Sequence, residues 1–259
     1  MSAKNHHVRI PHAEKLAAPI MVLIGALSLI TATFYESYIL AFIGLALTFW
    51  GALLFYIATK HVSLDFLNAT ALSALQNVER ILTNEKTEAT GVYLPPNCLP
   101  DYKSSLVFVP LQQKGVLPRI EETDEGTLNL KEPAGIVLTP PGFLISRLLE
   151  QKLGVSFAQL SLEDLLEKLP NLLIEKTAMA EKVELTIEGN IIKVEVSNGV
   201  FGQLCAEMKN LPKTHEILGC PFTSAIACAL AKSSGKPITI QEEEQVQDGK
   251  ITKVRFGML

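Results

Sequence analysis

The chain contains none of the short motifs that announce a common enzyme chemistry. There is no GxSxG, HExxH, phosphate-binding GxxxxGK[ST] or GxGxxG segment among its 259 residues. Cysteine is scarce: Cys98, Cys205, Cys220 and Cys228 are the full set, with no CxxC pair and no zinc-ribbon or secreted-disulfide spacing. Free thiols of this kind suit a reducing compartment. Positive charge is not in excess either. Beyond residue 59 the chain carries 20 basic and 25 acidic residues, a net charge of −5. That balance argues against a nucleic-acid partner, because sequence-independent binding rests on Lys and Arg neutralising phosphates.

What the sequence does have is an uneven distribution of apolar residues. Residues 17–59 are almost wholly apolar, whereas residues 60–259 have the composition of an ordinary globular protein. Ala17–Phe34 and Ile39–Ala58 are each uncharged and close to the ~20 helical residues that a hydrocarbon core of ~30 Å requires. The short connection Tyr35-Glu36-Ser37-Tyr38 would force the two helices antiparallel. Lys4, Arg9 and Lys15 precede the first run, Lys60 follows the second, and the connection has no Lys or Arg. The positive-inside rule then predicts a multi-pass protein of the cell membrane with both termini cytoplasmic. A cleavable signal peptide followed by one span is the alternative, but the second run starts too soon to leave a translocated segment. Gly44, Thr48 and Gly51 line one side of the second run and permit close helix packing.

The organisation expected from these patterns is a tail (1–16), a transmembrane helical hairpin (17–59), an amphipathic connecting helix (60–90) and a soluble domain (91–259). Within 62–86, Leu64, Leu67, Ala71, Leu75, Val78 and Leu82 recur at helical spacing. The stripe fits packing on the chain's own domain, or a homodimer seam through residues 62–86. Beyond a Pro-rich loop (Leu94–Pro100), strands are expected at 104–111 and 136–138, and residues 121–133 as an acidic loop. A helix is expected at 143–152 with Phe143, Leu144, Leu148 and Leu149 as its stripe. Ser161 caps a helix that Pro170 stops. Alternation across Glu181–Val196 around Gly189-Asn190 predicts a hairpin. A second hairpin, 238–246 with 251–256, turns at Asp248-Gly249. The fold class is therefore α+β with a mainly antiparallel sheet behind the N-terminal hairpin.

Four features could carry chemistry. Cys220 precedes Pro221, which favours the first position of a helix, so its thiol would sit at the positive end of a helix dipole. That effect is worth ~0.3–1 kcal/mol, under one pKa unit at ~1.36 kcal/mol per unit. Burial can raise a thiol by up to ~3–5 units, so a buried Cys220 is expected to be inert. No second cysteine lies within three residues of it to resolve an oxidised form. His215, Cys205, Cys220 and Cys228 are of the residue types that ligate metal. Cys220 and Cys228 are eight apart on one helix, two turns along the axis, and cannot share an ion. No metal and no cofactor is expected. The nearly all-apolar helix at 222–233 offers Cys220, Phe222 and Ile226 as lining for a small apolar ligand. Glu242-Glu243-Glu244 alternate about a strand, as a solvated edge that discourages strand-to-strand aggregation.

Gly219-Cys220-Pro221-Phe222-Thr223-Ser224-Ala225, with its small-residue helix and the Gly235-Lys236-Pro237 hairpin, resembles the C-terminal unit of vinyl-reductase-type small-molecule-binding domains. The apolar hairpin with Val107-Phe108-Val109-Pro110 and Leu138-Thr139-Pro140-Pro141-Gly142 is similar to archaeal membrane-anchored proteins. The resemblance implies a membrane-tethered sensor or adaptor rather than an enzyme, with the lipid bilayer and a small apolar ligand or protein as partners. A thiol-dependent redox enzyme or sensor using Cys220 is the alternative.

Overall fold

A computed structural model describes residues 12–58, 64–98, 105–111, 118, 129–131, 133–247 and 250–259. The chain divides into two units, residues 1–67 and 68–259.

The first unit is built on two helices, α1 (His12–Tyr35) and α2 (Tyr38–Ala58), joined at Glu36, whose φ is 46°. They pack antiparallel at small residues. A Cβ added at Gly44 would lie 2.9 Å from the Gly25 carbonyl, and one at Gly51 would lie 2.9 Å from Val22 N. Ser28 Oγ donates across the pair to the Leu40 carbonyl at 3.0 Å. Such close approach is what Gly44 and Gly51 on one side of α2 make possible. Outward, the pair exposes large apolar side chains, among them Leu23, Phe42, Leu45 and Phe49. Ala18–Tyr35 is long and apolar enough to cross a membrane, and Tyr38–Leu54 is a shorter apolar run. Pro212–Ser234 has similar length and composition but is 83 % buried, as expected of a core element.

The second unit is one eight-stranded antiparallel sheet with helices on one face. Its strands are β1 (Val92–Tyr93), β2 (Val107–Pro110), β3 (Asn129–Lys131), β4 (Ala134–Leu138), β5 (Lys182–Glu188), β6 (Ile191–Ser197), β7 (Ile238–Val246) and β8 (Ile251–Met258). Their order is β3-β4-β2-β1-β7-β8-β6-β5. The fold is thus α+β and antiparallel, as the patterns required. Alternation is clearest in the hairpin β5–β6. Ile192, Val194 and Val196 are buried, and Gly189 adopts the left-handed φ of 61° at the turn. The turn at Asp248-Gly249 lies outside the described residues, as do 121–128 of the expected acidic loop; 129–131 of that stretch form β3.

The amphipathic stripe packs on the chain's own domain, one of its two expected roles, whereas two later helices differ from expectation. In α3 (Leu64–Asn84), the side chains of Leu75 and Leu82, with Leu72, Val78 and Ile81, join the core of the sheet unit. α4 (Phe143–Leu153) buries Leu149 and packs Ile145 and Leu153, leaving Leu144 and Leu148 exposed. Its inward face is rotated from the expected stripe. α5 (Leu162–Asn171) begins at Ser161, whose Oγ accepts from Asp164 N at 3.1 Å, but does not stop at Pro170. It runs on through a π-helical turn, Leu172–Lys176, because Leu172 and Leu173 are both buried and hold the chain on the core.

The helix layer is completed by α6 (Gly202–Glu207), α7 (Pro212–Leu218) and α8 (Pro221–Ser234). In α8, every residue from Pro221 to Ala231 is buried. Its small side chains admit close neighbours: a Cβ at Gly142 would fall 2.6 Å from Ala225 Cα, and Gly142 N donates to Ser224 Oγ at 3.0 Å. Glu150 of α4 ties this layer together. It accepts from Ser156 Oγ, Phe157 N and Lys232 Nζ at 2.8, 2.8 and 3.0 Å. Burial opposes ionisation of Glu150, but the Ser156, Phe157 and Lys232 donors outweigh it and lower its pKa.

Candidate functional site

β1 pairs with β7 only at Ile238 and Thr239, so over Glu242-Glu243-Glu244 the strand is paired with β8 alone. The register explains why Glu243 matters. Ile240 pairs with Phe256 and Glu242 with Arg255, so Gln241 is the extra residue of a bulge. A bulge reverses the phase of alternation. Ile238 and Ile240 are buried before it, and Glu243 turns toward the helix layer after it. Glu242 instead meets Arg255 at 2.9 Å in solvent. An unbroken period of two would have put Glu242 and Glu244 inward.

Glu243 is a carboxylate whose side chain is only 3 % exposed. Its Oε2 accepts from Cys220 N at 3.1 Å and from Thr223 Oγ1 at 2.8 Å. Its Oε1 is buried without a hydrogen bond in the described structure, and His215 Nε2 stands 3.5 Å away. The Glu243 carboxylate beside it raises the pKa of His215, against the opposing effect of burial.

Cys220 is the N-cap of α8, with Pro221 at the first helical position. The expectation of an isolated thiol is corrected here, because Cys220 is disulfide-bonded to Cys205 of α6 across 15 residues, with Cα atoms 5.4 Å apart. Both are buried. Thr223 Oγ1 lies 3.6 Å from Cys220 Sγ. One sulfur each from Cys205 and Cys220 and a carboxylate oxygen of Glu243 lie within 4.8 Å of one another. Three of the four candidate ligands, Cys205, Cys220 and His215, thus converge around Glu243, which the sequence pattern assigned to a solvated edge. Cys228 is elsewhere on α8, a buried free thiol whose pKa burial pushes up to about 12.

The surrounding elements hold this cluster in register. Tyr93 Oη donates to the Leu218 carbonyl at 2.5 Å, fixing the junction of α7 and α8. Glu79 of α3 accepts from Lys213 N, Thr214 N and Thr214 Oγ1 at 3.2, 2.7 and 2.8 Å. It thereby satisfies the otherwise orphan donors of the first turn of α7, the helix that carries His215. Phe222 stacks on Phe201 with ring centroids 5.8 Å apart, and Ile226 is fully buried within the same core. A separate shallow groove of about 360 Å³ opens on the polar face of β5, β6, β7 and β8, away from the cysteines. Its charges already pair: Lys253 with Glu195 at 3.4 Å and Arg255 with Glu242 at 2.9 Å.

Residues 3–256 match the family described as a domain of unknown function (DUF7982), and the chain belongs to that family. The match gives no support to the likeness to vinyl-reductase-type domains or to archaeal membrane-anchored proteins. No curated protein and no solved structure matches the chain.

Proposed function

We propose that this chain is a membrane-tethered sensor module, held by an N-terminal transmembrane hairpin, whose cytoplasmic domain responds to thiol redox state through Cys205 and Cys220. The single observation that carries the reading is the Cys205–Cys220 bond seated on the buried hydrogen-bond hub of Glu243. The hairpin is supported by the exposed apolar flanks of α1 and α2 and by glycine contacts between them. Lys4, Arg9, Lys15 and Lys60 favour a cytoplasmic domain. In that compartment a disulfide is usually transient, catalytic or sensory.

The chemistry balances as thiol–disulfide exchange with a low-molecular-weight disulfide. One cysteine thiolate attacks a sulfur of that disulfide and expels a thiolate. The second cysteine thiolate then attacks the mixed disulfide and expels the other. Two electrons and two protons leave the protein, and two small thiols are formed. The helix N-terminus favours the thiolate of Cys220 and its burial opposes it, so attack by Cys220 needs the site to open. Both sulfurs are buried, so exchange requires opening at α6, a six-residue helix without a side-chain cap. Recognition of a small apolar ligand beside Phe222 and Ile226 is the less favoured reading, because α8 is buried and its small residues receive the Gly142 turn.

The test is the reduction potential of the pair. Detergent-solubilised full-length protein is equilibrated in buffers of graded dithiol/disulfide ratio, quenched with a maleimide and weighed. A sensor pair should titrate as one two-electron step with a midpoint above about −300 mV. A midpoint well below that value, or reduction only on unfolding, would make the bond structural and refute the proposal.

A further inference from the structure

We propose that the reduced pair, Cys205 and Cys220, together with Glu243 and His215, forms a four-ligand site for a zinc-type divalent cation. This rests on the reading above that the pair can be reduced. The four residues come from separate elements: α6, the N-cap of α8, α7 and the post-bulge segment of β7.

Three of the four ligands already lie close together, and the fourth, His215, touches one of them. Zinc binds thiolate sulfur at ~2.3 Å, imidazole nitrogen at ~2.0–2.1 Å and carboxylate oxygen at ~2.0–2.2 Å. Tetrahedral angles then place neighbouring ligand atoms roughly 3.4–3.8 Å apart. The Cys205, Cys220 and Glu243 ligand atoms lie within 4.8 Å of one another, and His215 Nε2 is 3.5 Å from Glu243 Oε1. Once the sulfur–sulfur bond is broken, the two sulfurs need only separate to non-bonded contact.

Glu243 supplies the second observation. Its side chain is only 3 % exposed, and among the described residues Oε1 has just the 3.5 Å ion-pair contact with His215. A buried carboxylate oxygen so weakly partnered is costly, and a carboxylate oxygen of Glu243 lies within 4.8 Å of both sulfurs. Oε2 meanwhile is oriented by Cys220 N and Thr223 Oγ1, the kind of outer support that fixes a ligating carboxylate. Two soft sulfurs, one imidazole and one carboxylate select zinc-like ions over calcium or magnesium, which need six or more oxygens.

Binding balances as follows. Two thiols lose their protons as the cation enters, His215 binds as the neutral ring, and the site carries a net charge of about −1 with Glu243 ionised. Two-electron oxidation by a disulfide oxidant forms the Cys205–Cys220 bond and releases the cation.

Cobalt(II) is the probe, because thiolate coordination to it is coloured. Full-length protein in detergent, with His6, His7 and His12 replaced by Ala, is reduced with a phosphine, stripped with a chelator and titrated with cobalt. Free thiols are counted by maleimide mass in the same sample. Four thiols and one equivalent of cobalt, with a sulfur-to-metal charge-transfer band and tetrahedral visible bands, are expected. Zinc should displace the colour. Cys205→Ser and Cys220→Ser should abolish it. Glu243→Gln and His215→Gln should each weaken cobalt binding by about 10–100-fold, with circular dichroism showing a retained fold. Four free thiols in folded protein with no thiolate–cobalt band would overturn the metal site and leave the redox reading standing. Only two free thiols in the folded protein under full reduction would overturn both.

Discussion

Loss of the Cys205–Cys220 bond is expected to lower the stability of the sheet domain by about 3 kcal/mol, the chain-entropy value for closing a loop of roughly 15 residues. The two cysteines are separated by 15 positions. For a domain of this size ~1 kcal/mol moves Tm by about 2–4 °C, so Cys220→Ser should melt some 6–12 °C below the oxidised wild type. A phosphine reductant with a chelator present should move wild type by a similar amount and leave Cys220→Ser unmoved. Cys205→Ser should reproduce the loss. The double variant Cys205→Ser/Cys220→Ser should cost no more than either single one, since all three remove the same bond. Thermal unfolding followed by far-ultraviolet circular dichroism reads all of these. Additive losses, or a wild-type Tm indifferent to reductant, would contradict the bond as a stabilising feature of the domain.

Leu82→Ala is expected to cost a further about 2–5 kcal/mol, the range for emptying a fully buried leucine site. Leu82 is 0 % exposed and lies in the main core with Leu75. α3 also brings Glu79 to the first turn of α7, so loosening it should disturb His215 as well as the core. The unfolding midpoint of Leu82→Ala should be independent of protein concentration. A midpoint that rises with concentration in wild type and loses that dependence in the variant would instead identify α3 as a dimer seam.

Much of the scaffold was legible in the residues because local signals agree there. Ile192, Val194 and Val196 alternate around a Gly-Asn turn, and that hairpin formed where the pattern put it. Pro221 opens α8, and Gly235, with φ of 63°, follows its end. The failures share a cause, which is dependence on distant partners. Glu243 faces inward only because the register against β8 slips between Ile240 and Glu242, and Gln241 carries no signal of that. Pro170 was outvoted by the buried Leu172 and Leu173. The site itself was half visible. Cys220 and His215 drew attention by type and position. Cys205 reaches Cys220 through a fold that brings α6 against α8, which spacing does not encode. Glu243 was hidden by the bulge at Gln241, since three consecutive acids look like a solvated edge until the register is known. An acid on the inward face of a bulged strand is the signal that finds it, and it requires the register.

The most direct test of the account is differential alkylation in intact cells producing full-length Ser37→Cys protein. An impermeant maleimide is applied first, followed by acid quench, then a permeant maleimide of different mass before and after reduction. The account predicts that position 37 takes the impermeant reagent. It predicts that Cys205 and Cys220 take only the permeant one, and that they shift together from free to bonded when a thiol oxidant is added to the cells and back when it is removed. A pair that stays bonded whatever the cellular redox state, or that the impermeant reagent reaches while position 37 is protected, would contradict it.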